Sequence, residues 1–216
     1  MQNILFDLDG TLVDSSRAHE LAFLEVLEVW AVHRVAEFSY ESVKGMGTRD
    51  ALAGLVDAEP ETLCEMARDK QRAYLRLLER GEVGLFPFAV ELLDGIARAG
   101  KRSFLVTSAG EQSVSRVFER FDLARHFVDV VTSAMVERPK PAPDVFRLVL
   151  DRNGLEAGRC LTVEDSPNGV RASRAAGVEA VVVHGADGAA GIRHYADLGV
   201  LLRALVAAEN EGDDAA

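Results

Sequence analysis

Asn3-Ile4-Leu5-Phe6-Asp7-Leu8-Asp9-Gly10-Thr11-Leu12-Val13-Asp14-Ser15-Ser16 is the stretch that decides how this chain is read. An apolar run, Ile4-Leu5-Phe6, delivers two carboxylates and then a glycine. Strand side chains alternate with a period of two, so Asp7 and Asp9 point to the same side if the strand continues through them. Like charges held that close repel, and folding gains nothing from the arrangement alone. A bound divalent cation would compensate the repulsion. The pair would then offer a carboxylate nucleophile and an acid/base group side by side. Taken alone, the stretch admits a second reading, in which Asp9-Gly10 is a turn after a buried strand.

The chain around this stretch has 216 residues, enough for one large domain or a core domain with an insert. Hydrophobic residues make up 48%, which predicts a packed core. A net charge of −11 argues against nucleic acid or an anionic membrane as partner. A small anionic substrate remains open, because a local site can oppose the global field. Cys64 and Cys160 stand in no ligand spacing, so neither a structural zinc site nor a disulfide framework is expected, and a reducing cytoplasm fits. The first strand begins almost at Met1, so no signal peptide is expected. No apolar run approaches the ~20 residues of a membrane helix. The chain is expected to act as a monomer, with a polar, acidic tail over 209–216 that frays.

Five apolar runs read as buried strands: residues 4–6, 104–106, 128–131, 160–163 and 180–183. They are mostly apolar rather than alternating, as expected of strands covered on both faces. Helical patterns at 89–99, 112–121, 144–152 and 169–176 separate the later runs. Strand–helix alternation predicts an α/β fold, a parallel sheet with right-handed crossovers. Between the first two runs only helical patterns occur, at 16–31, 48–56 and 60–80. That is too much for one crossover and reads as an inserted helical subdomain. Asp14-Ser15-Ser16 reads as its outgoing hinge, with a serine as N-cap, and Gly81-Glu82-Val83-Gly84 as its return. The expected division is 1–14 and 83–216 for the core, 15–82 for the insert.

Ligands of open parallel sheets bind beyond the carboxyl ends of the strands. Asp7 and Asp9 follow the first run, and Thr107-Ser108-Ala109-Gly110 the second. Glu164-Asp165-Ser166-Pro167-Asn168-Gly169 follows residues 160–163, and Lys140 stands in Arg138-Pro139-Lys140-Pro141-Ala142-Pro143 ahead of a helix. Each has an ordinary alternative: a strand exit, a charge at a helix start, a solvated loop lysine. Together they bring acidic groups for a metal, a hydroxyl for a phosphate oxygen and a lysine for remaining charge to one sheet edge. Those are the parts phosphoryl transfer needs, and magnesium suits an oxygen-only set.

These motifs resemble the haloacid dehalogenase superfamily, in the branch with a small helical cap that includes phosphoglycolate phosphatase-like and β-phosphoglucomutase-like enzymes. Phe6 to Leu12 is similar to that family's first motif, Val106-Thr107-Ser108 to the second, Lys140-Pro141-Ala142-Pro143 to the third and Glu164 to Gly169 to the fourth, in the right order. The resemblance implies a Rossmann-like core with helices on both faces and a helical cap where the insert lies. It implies Asp7 as nucleophile and Asp9 as acid and then base. Thr107 would hold a phosphate oxygen, with Gly10, Ser108 and Ala109 in the substrate site, and Lys140 would orient Asp7. Magnesium would be held by Asp7, Asp165 and the Asp9 backbone carbonyl, with Glu164 in or just outside that shell. Dehalogenases of the superfamily lack an acidic residue at the Asp9 position, so dehalogenation is not expected.

In the insert, Lys70 falls on an apolar stripe with Leu63, Met66, Ala67, Tyr74, Leu77 and Leu78, where a lysine needs a partner or an anion. His19 lies in line with Phe23, Val26, Leu27 and Trp30, opposite Arg17, Glu25 and Glu28, and fits a satisfied core histidine or a cleft residue. Val43-Lys44-Gly45-Met46-Gly47-Thr48-Arg49 puts two glycines and two cations in a loop before a helix, suited to a phosphate or carboxylate. His19, Lys44, Arg49 and Lys70 resemble substrate-binding positions of β-phosphoglucomutase. Thr11 points instead to the phosphatases, since the mutases usually carry an aliphatic residue there. Phe88 stands where many relatives have glycine. The leading reading is a magnesium-dependent phosphatase of a small phosphorylated metabolite. The second is a β-phosphoglucomutase-like sugar-phosphate mutase. A receiver-like signalling module is the third, and the large insert after the first strand speaks against it.

Overall fold

A computed structural model describes residues 1–184 and 192–213, with side chains as far as Leu205. In chain order the elements are β1 (Asn3–Phe6), β2 (Val13–Asp14), α1 (Ser16–Trp30), α2 (Thr48–Leu55), α3 (Pro60–Glu79), β3 (Gly84–Leu85), α4 (Ala89–Arg98), β4 (Arg102–Thr107), α5 (Glu111–Phe121), β5 (Phe127–Thr132), α6 (Asp144–Asn153), β6 (Cys160–Glu164), α7 (Pro167–Ala175), β7 (Glu179–Val183), β8 (Arg193–Tyr195) and α8 (Leu198–Asp213). Six strands form one sheet in the order β5-β4-β1-β6-β7-β8, every pair parallel.

The sheet is covered on both faces, and the period of two sorts its side chains between them. Ile4 and Phe6 of β1, Leu105 of β4, and Leu161 and Val163 of β6 pack with Leu92, Leu93 and Ile96 of α4, Val114 and Val117 of α5, and Leu198 and Leu201 of α8. Leu5, Phe104, Val106 and Cys160 turn the other way, onto Val145, Phe146 and Val149 of α6 and Ala172 of α7. The α/β class with a parallel, Rossmann-like sheet is as the sequence implies. A sixth strand, β8, and the helix α8 were not anticipated. Arg193-His194-Tyr195 lies at the sheet's edge and has no apolar run to announce it. The expected fraying tail, 209–216, is helical as far as Asp213, and its last three residues lie outside the described ones.

The first strand ends at Phe6, so the alternation argument does not carry through to Asp9. Gly10 takes a left-handed φ of 80° and turns the chain into β2, which pairs antiparallel with β3 through Val13↔Leu85 and Asp14↔Gly84. Between β2 and β3 lie α1, α2 and α3. They share a separate apolar cluster of Phe23, Val26, Val43, Ala51, Leu52, Leu63 and Met66. Ala18, Ala22, Ala73, Tyr74 and Leu78 of the same helices join the sheet's own cluster. Ser15 occupies the N-cap position of α1, but its hydroxyl makes no capping bond and turns instead to Asp9. Trp30 does not follow His19 inward; it is 38% exposed and donates to Asp69. Among the described residues no helix is long and apolar enough to cross a membrane.

Candidate active site

The registers of β1, β4 and β6 bring three chain segments to one edge. Phe6 pairs with Leu105 on one side and Val163 on the other, so Asp7, Thr107 and Glu164 all stand at strand tips. Lys140 reaches the same place from the loop before α6. Its buried ammonium donates to Asp7 Oδ1 at 2.7 Å, Glu164 Oε1 at 2.6 Å and the Val106 carbonyl at 2.8 Å, so all three protons have acceptors. Burial opposes that charge, but Asp7 and Glu164 together outweigh it and hold Lys140 protonated. Burial pushes Asp7 well above the usual carboxylate value. Lys140 pulls it back, and Glu164 and Asp165 push it up again. The repulsion expected between Asp7 and Asp9 is therefore felt by Asp7 from Glu164 and Asp165.

Glu164 is fully buried and both its oxygens are engaged. Oε1 accepts a hydrogen bond from the Lys140 ammonium, and Oε2 accepts from the amides of Asp165 and Ser166 and from the Ser166 hydroxyl. Ser166 in turn caps α7 by accepting from Gly169 N at 3.1 Å. Gly169 is required there, because a Cβ would overlap the Glu164 carboxylate. Asp7, Glu164 and Asp165 each bring one carboxylate oxygen to within 4.8 Å of the others. This all-oxygen set suits magnesium. Asp165 Oδ2 is buried and makes no well-formed hydrogen bond, although the Lys44 ammonium stands 2.7 Å from it. Burial and Glu164 push Asp165 up to about 6 against the pull of Lys44 and Lys140. Asp7 and Asp165 thus fit a cation directly, with Glu164 committed behind them.

Asp9 belongs to a different set, drawn from the inserted helices. Ser15 Oγ at 2.7 Å, His19 Nε2 at 3.1 Å and Tyr74 OH at 3.3 Å all converge on its Oδ1. Behind His19 lies Lys70, buried, its Nζ 2.6 Å from His19 Nδ1. An ammonium only donates, so Nδ1 accepts and Nε2 carries the hydrogen that faces Asp9. Tyr74 stacks on the imidazole at 4.3 Å, and the Lys70 ammonium lies over the Phe23 ring at 4.8 Å. Burial lowers His19, with Lys70 adding to it, and keeps the ring neutral near pH 7. Burial alone would raise Asp9, but His19, Ser15 and Lys70 more than offset it and bring it to about 2. Burial lowers Lys70 to about 8, and Asp9 resists.

The two sets face a cavity of about 60 Å³ that Asp7, Asp9, His19, Lys70, Thr107, Ser108 and Ala109 line. Three of the expected substrate-site groups are engaged elsewhere. The Gly10 amide donates to the Val13 carbonyl, the Ala109 amide to Thr107 Oγ1 and the Ser108 hydroxyl to the Gly45 carbonyl. Gly10 matters through its missing side chain, since a Cβ would overlap the Asp165 carboxylate. Lys44 is drawn to Asp165, and exposed Arg49 opens onto a separate groove. The sequence assigned no site role to Ser15, which stood in the hinge, to Tyr74, which stood on the apolar stripe, or to Tyr40, Gln71 and Ser113. Tyr74 carried a signal, standing four residues after Lys70 on the same helical face; Tyr40 lies in a stretch with no periodicity.

The geometry can be set beside known proteins. Residues 4–183 match the model of the family described as haloacid dehalogenase-like hydrolase. The chain is 33% identical over 199 residues to protein CbbY from a plasmid of Cupriavidus necator, spanning 84% of this chain and 78% of that one. It is 30% identical over 187 residues to the fructose-1-phosphate phosphatase YqaB of Escherichia coli, spanning 83% and 95%. Among solved structures, a mutant CbbY from Rhodobacter sphaeroides in complex with xylulose-(1,5)bisphosphate has a TM-score of 0.79 at 26% identity, covering 92% of this chain and 95% of that one.

Proposed function

This chain belongs to the haloacid dehalogenase-like hydrolases and is a phosphomonoester hydrolase, and on that premise we propose that it is a magnesium-dependent phosphatase of a small phosphorylated metabolite, a sugar phosphate or similar ester, working through an aspartyl phosphate. The observation that carries the reading is the contrast between Asp7, tied to Lys140 at a strand tip, and Asp9, tied to His19, Ser15 and Tyr74. Asp7 attacks phosphorus, forming its O–P bond as the bond to the leaving oxygen breaks. Lys140 holds the attacking carboxylate in place, and Thr107 takes a phosphate oxygen. The leaving oxygen needs a proton. Asp9, a carboxylate at rest, receives a proton relayed from Lys70 through His19 Nδ1 and Nε2–H and passes it to the leaving oxygen; as a carboxylate again it takes a proton from the water that splits the aspartyl phosphate, and the relay run in reverse restores Lys70. Magnesium, when bound, would be held by Asp7, Asp165 and the Asp9 backbone carbonyl and would supply the positive charge that lets carboxylates and phosphate oxygens meet.

Residues 15–82 serve as a cap on a core of 1–14 and 83–216. Bonds from Ser108 to Gly45 O, from Asn168 to Lys44 O and from Gln71 to Ser113 support a cap that closes over the cleft. Closure excludes water from the reacting centre. The enzyme acts as a cytoplasmic monomer. Phosphate release screened over phosphorylated metabolites, including both glucose monophosphates, tests the reading. Magnesium-dependent release that stops with chelator is expected. Failure to release phosphate from any ester overturns it. Interconversion of glucose monophosphates without release, dependent on a bisphosphate primer, overturns it in favour of a mutase.

A further inference from the structure

We propose that Ser108 and Asn168 are positioning residues that grip the inserted helices by their main chain, each donating to one of two successive carbonyls in the loop before α2. The inference deepens the phosphatase reading above, on which it rests, by naming what seats the cap on the core. Ser108 Oγ donates to the Gly45 carbonyl at 3.0 Å, and Asn168 Nδ2 to the Lys44 carbonyl at 2.9 Å. The donors come from opposite sides of β1. Ser108 follows β4, and Asn168 lies in the first turn of α7, after β6. Each is held by a further bond. Ser133 Oγ donates to the Ser108 carbonyl at 2.9 Å, and Arg171 donates to Asn168 Oδ1, which turns Nδ2 toward the loop. The contact is close as well as directed. A carbon added at Gly45 would lie 2.4 Å from Ser166 Oγ and 3.4 Å from Asn168 Cβ. None of these bonds uses a carboxylate or the Lys44 ammonium, so a cation on Asp7 and Asp165 leaves them their partners.

The grip reaches the reacting groups through the insert's own core. Val43, next to Lys44, is buried in one cluster with Phe23 of α1 and Met66 of α3. His19 stands one helical turn before Phe23, Lys70 one turn after Met66, and Tyr74 one turn after Lys70. His19 and Tyr74 are the helix side chains that reach Asp9. Fixing the loop therefore fixes where those helices stand relative to Asp9. Carbonyls are present whatever the side chains are, so the grip itself does not select among substrates. This role differs from the one that the second motif implies for Ser108, because its hydroxyl faces the insert rather than a phosphate oxygen. A neutral hydrogen bond of this kind favours the docked arrangement by a factor of roughly 2 to 10.

The test is Ser108→Ala and Asn168→Ala, singly and together. It is read by phosphate release from phenyl phosphate and glycerol 3-phosphate, and by amide hydrogen exchange of the unligated protein. Each single variant should lose about 5-fold in kcat/KM and the pair about 25-fold, by the same factor on both esters. Exchange over residues 40–47 should quicken by similar factors, with β1, β4 and β6 as slow as in the parent. Ser108→Thr keeps the hydroxyl and should stay within about 2-fold of the parent in both measurements. Turnover lost without faster exchange overturns the inference and places the two side chains on the substrate. Turnover and exchange both unchanged overturn it as well. Quickening that spreads to the strands makes the residues structural rather than positioning, and equally overturns it. A parent that releases no phosphate from any ester overturns the phosphatase reading, and the exchange result then judges the grip by itself.

Discussion

Two carboxylates separated by one residue sit in opposite environments, and the difference follows from which part of the chain surrounds each. Asp7 is enclosed by strand-end groups, Lys140, Glu164 and Asp165, and burial holds it well above the usual carboxylate value. Asp9 is enclosed by the inserted helices, through Ser15, His19 and Tyr74, and is brought to about 2. Acid–base roles in such a pair are set by surroundings rather than by residue type. The surroundings of Asp7 are shared with the sheet; those of Asp9 are lent by the insert.

The sharpest way to break this contrast is Asp7→Asn. Turnover should fall on the order of 10⁴-fold or more, since no attacking oxygen anion remains. Its melting temperature should rise at neutral pH. A carboxylate whose folded-state value lies above its unfolded one opposes folding once ionised, so removing it stabilises. The gain should vanish in acid below about pH 4, where Asp7 is protonated in both states. Phosphate release and melting curves against pH check both halves.

Asp9→Asn should cost about 100- to 10,000-fold in turnover, but with the opposite sign in stability. Its value falls from 3.8 to about 2 on folding. Ionised Asp9 therefore contributes about 2 kcal/mol above pH 4, lost as pH falls toward 2. The variant should melt lower than the parent at neutral pH. Two Asp→Asn changes that moved the melting point in the same direction would erase the contrast drawn here.

Lys70→Met reaches the same contrast from the insert. Turnover should drop roughly 10-fold, a modest share of what general acid–base catalysis contributes. Lys70 falls from 10.5 to about 8 on folding, so the buried ammonium opposes folding by about 3 kcal/mol below pH 8. The variant should be more stable at pH 7, with the gain shrinking between pH 8 and 10.5. Melting of both proteins across that range decides it. The smallest effect is expected away from the cleft. Phe88 holds a φ of 67° and is 47% exposed. Phe88→Gly should relieve about 1 kcal/mol of backbone strain, part of it returned as unfolded-chain freedom, and should leave turnover unchanged.

Residues at strand tips were legible because a buried strand is a plain apolar run and its first polar successor is easy to name; Asp7, Thr107 and Glu164, with Asp165 next to it, were found this way. Lys140 was legible by kind and by its place before a helix, but its three acceptors come from β1, β4 and β6 and no local pattern reveals them. Edge strand β8 hid because a strand at the rim lacks the continuous apolar run that marks a central one. Ser15 was read as a helix cap, a role its hydroxyl gives up for Asp9. Lys44 and Arg49 were placed in the substrate site by charge, loop chemistry and resemblance to β-phosphoglucomutase, and where a long cation points depends on carboxylates far away in sequence, such as Asp165. The Phe88 position was noticed as unusual, and the left-handed backbone there shows why glycine suits it.

The short ribbon of β2 and β3 has a consequence for chain entropy. Val13 lies against Leu85 and Asp14 against Gly84, so everything from 15 to 83 leaves and re-enters the core between neighbouring strands about 5 Å apart. To the sheet, the insert is a loop whose ends never separate, and a tight turn of two residues would bridge the same gap. Closing such a loop becomes harder by only about 0.6 kcal/mol with each doubling of its length. Helices can therefore be lengthened, trimmed or exchanged there while β1, β4 and β6 keep their register. Changes of helix there would remake the surroundings of Asp9 and the roof of the cleft while Asp7, Thr107 and Glu164 keep their places at the strand tips.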